Sequence, residues 1–456
     1  MQYPDLKFKN KKPAYVKFAD DLNFFKLFKK IEQNFDYCYF LESLGMEQSR
    51  SRYSIIGFDP EVLISAKQQE LRFNQSGKAK NFKVDNPYLE LKKAIPNKII
   101  SKQYSGGLVG YLGYDCVNYF EKSLKVSLHP DFDQFMFGLY SDGLVYDKMT
   151  GEIFYFYFNQ NRINLIKKIS KQKRKSKPRL KVRFLGDTKT EKMHKKMVES
   201  AKDEIKKGNI FQGVLGFKSL FEFKGDKIKI YERLRKINPS PHMFYLKFFD
   251  KFIIGASPEM LFRLRDNEME TFPLAGTIKR GKDLKEDRKL ARILLNDPKE
   301  RAEHSMLIDL HRNDMGRVAR FGSVKVRNIM DIKKFSHVSH ISSEVTGTLA
   351  QNHNMFSALA SNFPAGTLSG APKIEAIRII ERLENEPRGP YGGAVGHFGF
   401  NKDCTFAIPI RSLFISGKYG YAQTAGGIVY DSKAKNEYLE IKNKLKAMTR
   451  VLETYR

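Results

Sequence analysis

Glu300 and Glu303 lie three residues apart in "PKERAEHSMLIDLHRND" (298–314), and Glu437 and Glu440 repeat that spacing in "SKAKNEYLEIKNKLKAMTR" (432–450). On a helix, positions i and i+3 share a face, so each pair can aim two carboxylates the same way. If the two helices face each other, four hard oxygen donors surround one point, and carboxylates completed by water suit Mg2+. Either pair alone reads first as an exposed helix whose glutamates meet lysine or arginine. The neighbourhood shifts the balance, because four further stretches suit a small anion. "PLAGTIKRG" (273–281) and "FPAGTLSGAPK" (363–373) are glycine loops that permit close backbone approach, and "RGPYGGAVG" (388–396) places Tyr391 in a third. "QTAGGIV" (423–429) offers consecutive backbone N–H groups to a carboxylate. Arg411 stands among apolar residues in "AIPIRSLF", read as a strand, where a buried guanidinium needs an anionic partner.

The elements that must position these residues follow from pattern. "EKMHKKMVESAKDEIKKGNI" predicts an amphipathic helix ending at Gly208, and "NIFQGVLGFKSLFEF" a strand. "KIYERLRKINPSP" predicts a helix stopped by prolines, and "MFYLKFFDKFIIGASPEMLFRL" a hairpin. "MFSALASNFPAGTLSGAPKIEAIRIIERLE" reads as helix, Gly/Pro loop and helix; "GAVGHFGF" and "CTFAIPIRSLFIS" read as strands before the last helix. Nearer the N-terminus, "SRYSIIGFDPEVLISA" is strand, turn, strand, and "GLVYDKMTGEIFYFYF" is a hairpin. The basic run "KKISKQKRKSKPRLKVR" (167–183) lacks the interleaved aromatics that base stacking wants. It reads as a solvated linker, dividing an N-terminal region (1–184) from a second region (185–456).

Composition sets the limits. The 456 residues are 41% hydrophobic, enough for a large core. The net charge of +30 admits a nucleic acid, an anionic surface or an anionic substrate, though a lysine-rich solvated surface is the plainer reading. Cys38, Cys116 and Cys404 are scattered, which implies neither a disulfide framework nor a zinc site and fits a reducing cytoplasm. No signal peptide and no membrane-spanning run is read, and no nucleic-acid or membrane partner is expected. Tryptophan is absent despite 36 Phe and 22 Tyr.

Taken in order, "NIFQGVLGF", "NPSPHMFYL", "GASPEML", "PLAGTIKRG", "KERAEHSMLIDLHRNDMGRV", "VSHISSEVTG", "FPAGTLSGAPK", "RGPYGGAVGHF" and "AGGIVYDS…NEYLE" resemble the chorismate-binding enzymes. The resemblance runs from about Met193 to Arg450; "FLESLGMEQSRSRYSIIGFDPE" (40–61) and "GYLGYD" (110–115) resemble the family's amino-terminal region. It implies an α+β fold of two large antiparallel sheets packed orthogonally, with helices outside. It implies Mg2+ on Glu303 and Glu440, supported by Glu300 and Glu437, binding the ring carboxylate of chorismate. The second carboxylate then falls to Arg411, Tyr391 and the backbone of Ala425, Gly426 and Gly427, while Gly276 and Thr277 line the ring. Glu259 corresponds to the general acid for the departing hydroxyl, and His340 to the histidine of the final elimination. Gln212 and Thr367 complete the catalytic set; His304 and His337 are left as structural.

Within the family, isochorismate-forming members carry a lysine where this chain has Gln212, because activating water needs a base. Aminodeoxychorismate synthases carry a lysine where this chain has Ala275. The pattern therefore favours anthranilate synthesis from chorismate and ammonia. The runner-up is the folate-branch aminodeoxychorismate synthase, and the rival from another class is a basic polyanion-binding protein. Ser43, Pro241 and Met243 match the family's tryptophan-feedback site, whereas Phe40 and His242 depart from it. No cysteine sits in a glutaminase nucleophile loop, so the resemblance implies a glutamine amidotransferase subunit as partner.

Overall fold

The computed structural model describes residues 12–19, 22–44, 52–96, 98–334 and 338–455. His337 and residues 45–51 of the amino-terminal match lie outside them. Among the described residues the chain builds two antiparallel sheets of twelve strands each. Residues 14–19, 37–42, 53–58, 142–147 and 152–157 join the first sheet, and residues 62–67, 70–75, 78–83, 107–112 and 135–140 the second, beside strands from the remainder of the chain. Both sheets thus draw strands from each side of residue 184.

The site depends on part of this framework. In the first sheet the order runs β1 (Tyr37–Glu42), β3 (His242–Phe248), β4 (Lys251–Ser257), β9 (Ser412–Ser416), β10 (Tyr419–Ile428), β2 (Gln212–Lys224). The second contains β5 (Met260–Arg265), β6 (Leu274–Lys279), β7 (Val338–Thr348) and β8 (Cys404–Ala407). Four helices matter: α1 (Ile228–Ile237), α2 (Pro298–Gly316), α3 (Lys373–Glu384) and α4 (Ala434–Glu453).

Strand alternation separates the layers. Along β3, Phe244, Leu246 and Phe248 join the core that includes the second sheet, while Met243 and Tyr245 face the opposite core, lined by helices. That second core takes the stripe Ile441, Leu445, Met448 and Leu452 of α4, spaced as one helical face. Asp297 caps α2, accepting from the N–H groups of Lys299 and Glu300 at 2.9 and 3.3 Å, with Pro298 at the first helical position.

Two predicted elements resolve differently. The 243–264 hairpin is β3–β4 followed by β5, which belongs to the other sheet; the chain crosses at Ser257–Pro258–Glu259. The strand expected over 404–416 is β8 and β9, in different sheets. Pro409 lacks a backbone donor and Arg411 has φ +52°, so Arg411 lies at the crossing and not in a strand. The two crossings run side by side, with Ile408 N–H donating to Glu259 O at 3.1 Å and Ala256 N–H donating to Arg411 O at 3.2 Å. The basic run also departs from a solvated connector. Residues 163–171 are helical, and Arg174 and Lys177 pair with the buried carboxylates of Asp226 and Glu32 at 2.6 and 2.9 Å. The three cysteines are buried and free, and no helix among the described residues is long and apolar enough to cross a membrane.

Candidate active site

Glu259 owes its position to the first crossing. Its side chain is buried, and the Thr367 hydroxyl donates to its Oε1 at 2.8 Å. Burial raises its pKa to about 7, against the opposing pull of that hydrogen bond and of Lys444. A carboxyl poised there can hold a proton at neutral pH and release it, as a general acid must.

His340 lies on β7 opposite a bulge. Ala275 pairs with Ile341 and Ile278 with Ser339, so Gly276 and Thr277 together oppose His340. Gly276 takes the left-handed conformation the bulge requires, at φ +60°. The bulge turns the Gly276 carbonyl to within 2.8 Å of His340 Nδ1 and the Thr277 hydroxyl to within 3.1 Å. A proton on Nδ1 donated to that carbonyl leaves the lone pair on Nε2. Burial lowers the His340 pKa, favouring the neutral imidazole that can accept a proton.

The four glutamates converge on one side of this space. A Cβ at Gly276 would stand 2.9 Å from Glu300 Oε2; one at Gly426 would stand 3.5 Å from Glu437 Oε2 and 3.9 Å from Glu440 Oε1. Gln212 Nε2 donates toward Glu303 Oε1 at 3.4 Å, a long contact, and would clash with any Cβ at Gly427. Burial and then the charge of Glu303 raise the Glu300 carboxyl, with Glu440 adding to the repulsion. Burial and Glu440 likewise raise Glu437. Mutually repelling carboxylates of this kind fit a hard divalent cation. Among the described residues no three His, Cys, Asp or Glu side chains stand close enough together to surround one point. The Lys444 ammonium lies 2.6 Å from Glu440 Oε1 and donates to the Ala425 carbonyl at 3.1 Å.

Arg411 supplies the positive side, near the Tyr391 phenol. No described residue offers the Arg411 guanidinium a carboxylate, and burial lowers its pKa, with Tyr391 the one opposing influence. Tyr391 is itself buried. A desolvated guanidinium in this state is a receptor for an incoming carboxylate.

The feedback candidates also meet. Strands β1 and β3 pair with Met243 opposite Glu42, and Leu44 N–H donates to Ser240 O at 2.8 Å. Ser43 accepts from Lys148 through its carbonyl, Pro241 precedes β3 and His242 opens it. Burial lowers the His242 pKa to about 4, so this histidine is neutral at physiological pH. His304 is structural as expected, buried with Nε2 2.7 Å from the Ser343 hydroxyl.

Sequence reading missed Lys444 and the buried pair Arg388–Glu384. The i,i+4 spacing of Lys444 from Glu440, and of Arg388 from Glu384, was the available signal.

Residues 36–450 match the family described as chorismate binding enzyme. The chain is 52% identical to anthranilate synthase component 1 of Leptospira biflexa, covering 98% of this chain and 97% of that one. It is 42% identical to the protein of the same name from Methanothermobacter thermautotrophicus, over 94% and 92%. Among solved structures, anthranilate synthase component I from Streptococcus pneumoniae superposes with a TM-score of 0.76 at 32% identity, over 89% of this chain and 93% of that one. The isochorismate synthase MenF from Escherichia coli shares the fold, with a TM-score of 0.75 at 17% identity over 97% and 94%. With the fold, the family match and these relatives agreeing over nearly the whole length, the chain belongs to the chorismate binding enzymes.

Proposed function

We propose that this chain converts chorismate and ammonia to anthranilate, pyruvate and water, the anthranilate synthase reaction. The observation that carries the reading is Glu259, a buried carboxyl that accepts from the Thr367 hydroxyl at 2.8 Å and has a pKa raised to about 7 by burial. The near-full-length relatives named anthranilate synthase component 1 support it.

Arg411, Tyr391 and the backbone at Ala425–Gly427 receive the enolpyruvyl carboxylate, and Gly276 and Thr277 border the ring. Glu303 and Glu440, with Glu300 and Glu437 in support, would hold Mg2+, which would supply a positive charge for the ring carboxylate. Glu259 gives its proton to the departing C4 hydroxyl, which leaves as water. Ammonia bonds to the ring from the side of Gln212, whose amide cannot deprotonate water as a lysine could. The neutral Nε2 of His340 then takes the ring proton as pyruvate departs, and the ring becomes aromatic. A glutamine amidotransferase subunit supplies the ammonia, and L-tryptophan is the inhibitor read at the β1–β3 junction.

The test incubates the chain with chorismate, Mg2+ and an ammonium salt. Fluorescent anthranilate should appear with pyruvate in a one-to-one ratio, and glutamine should not replace ammonium. Aminodeoxychorismate accumulating without pyruvate would assign the chain to the folate branch, and isochorismate would overturn the role given to Gln212.

A further inference from the structure

We infer that the buried ion pair Arg388–Glu384 is the positioning centre of this site, fixing Gln212, Thr367 and Tyr391 relative to one another through the backbone atoms of β2 and of the 366–368 turn that it bonds. The inference rests on the function proposed above.

Both side chains are 2% exposed. The guanidinium donates twice to Glu384, from Nε to Oε2 at 2.8 Å and from Nη2 to Oε1 at 2.7 Å. Its other donors leave the pair: Nη1 meets the Leu368 carbonyl at 2.6 Å, and Nη2 meets the Val214 carbonyl at 2.7 Å. Glu384 Oε1 accepts from Gly216 N–H at 2.8 Å. Every one of these contacts lies within four residues of a site group. Val214 and Gly216 follow Gln212 on β2 and pair with Gly427 and Ala425 on β10. Leu368 adjoins Thr367, which holds Glu259. Arg388 precedes Tyr391 by three residues, and its guanidinium stacks on the rings of Tyr114 and Tyr391, 4.6 and 5.9 Å from their centroids.

Structural need alone does not explain this arrangement. A buried pair is rarely better for stability than apolar residues of the same volume, so its retention suggests a task in geometry. A planar fork can hold three acceptors in fixed directions, whereas a lysine ammonium presents a point charge. Tilting the 366–368 turn by a fraction of an ångström would loosen the Thr367 hydroxyl from Glu259. That hydroxyl favours the carboxylate, so its loss lets Glu259 keep its proton to higher pH. The charged group felt by Glu259 is Lys444 of α4, and the Ser257 hydroxyl meets its backbone; neither contacts Arg388.

The experiment is a double-mutant cycle on the full chain with Mg2+ and a fixed concentration of free ammonia. Arg388→Lys, Thr367→Ala and their combination are compared by the pH dependence of kcat/KM for chorismate and by thermal midpoint. Arg388→Lys should lower kcat at least tenfold and move the high-pH limb upward. Thr367→Ala should move it the same way with a near-normal thermal midpoint, and the double variant should move it no further than the larger single. A lowered midpoint with the limb unmoved in Arg388→Lys, or fully additive shifts, would overturn the inference. Glu259→Gln is the control: its loss of turnover keeps the acid assignment, whereas retained turnover would place the fault in the proposed function. If Arg388→Lys does not fold, Glu384→Gln, which keeps the oxygen facing Gly216, replaces it in the same cycle.

Discussion

At the scale of single residues, charge decides what the site can do. The glutamates facing one another are partly held in check by Lys444, but one ammonium cannot neutralise four carboxylates. Glu440→Gln removes one of the two leading ligands proposed for Mg2+, and activity should fall about 100-fold, close to 3 kcal/mol of transition-state stabilisation. Steady-state rates across a Mg2+ titration check this; turnover that persists in excess chelator would remove the metal from the reaction. Much of the residue scale was legible beforehand. Glu259 meets Thr367, and Gly276 and Thr277 meet His340, each across a long stretch of sequence. Their hydrogen bonds were not legible, because a bulge at Gly276 and a crossing at Glu259 are fixed by pairing with distant strands. The protonation of Glu259 was equally hidden, since it depends on how deeply the folded chain buries it.

At the scale of elements, the sequence was most readable where one period governs a segment. Helices α1, α3 and α4 and strands β2 and β3 lie where their patterns put them. It was least readable where a continuous apolar run changes sheet, as at 257–260 and 407–412, because periodicity carries no mark of which sheet a strand joins. The β1–β3 pairing brings the two feedback stretches together across one ladder, next to the buried pairing of Glu42 with Arg235 and Tyr231. L-tryptophan at millimolar concentration should inhibit turnover. Ser43→Ala and His242→Ala should each shift half-inhibition severalfold while changing the uninhibited rate less than twofold, as estimated from losing about one hydrogen bond. Calorimetry showing no tryptophan binding would mean that this chain lacks the site. Because His242 is neutral well above pH 4, inhibition should not vary with its charge between pH 6 and 8.

At the scale of the molecule, the two regions divided near residue 184 are not two cores. Separate chains 1–173 and 174–456 should each fail to unfold cooperatively by circular dichroism, yet regain a cooperative transition when co-expressed; a fragment folding alone would contradict shared sheets. The order of strands has a further consequence, for the time course of synthesis. In the first sheet, β10 lies between β9 and β2, so β2 and the edge strand beyond it are joined to the rest of the sheet by its last-made strand. Until Ile428 has left the ribosome, the facing edges of β9 and β2 have no partner, and unpaired edges recruit other chains. Between the synthesis of β4 and that of β9 and β10 the nascent protein therefore carries open edges on β4 and β2, and closing the gap brings the Ala425–Gly427 backbone to the candidate site late in assembly.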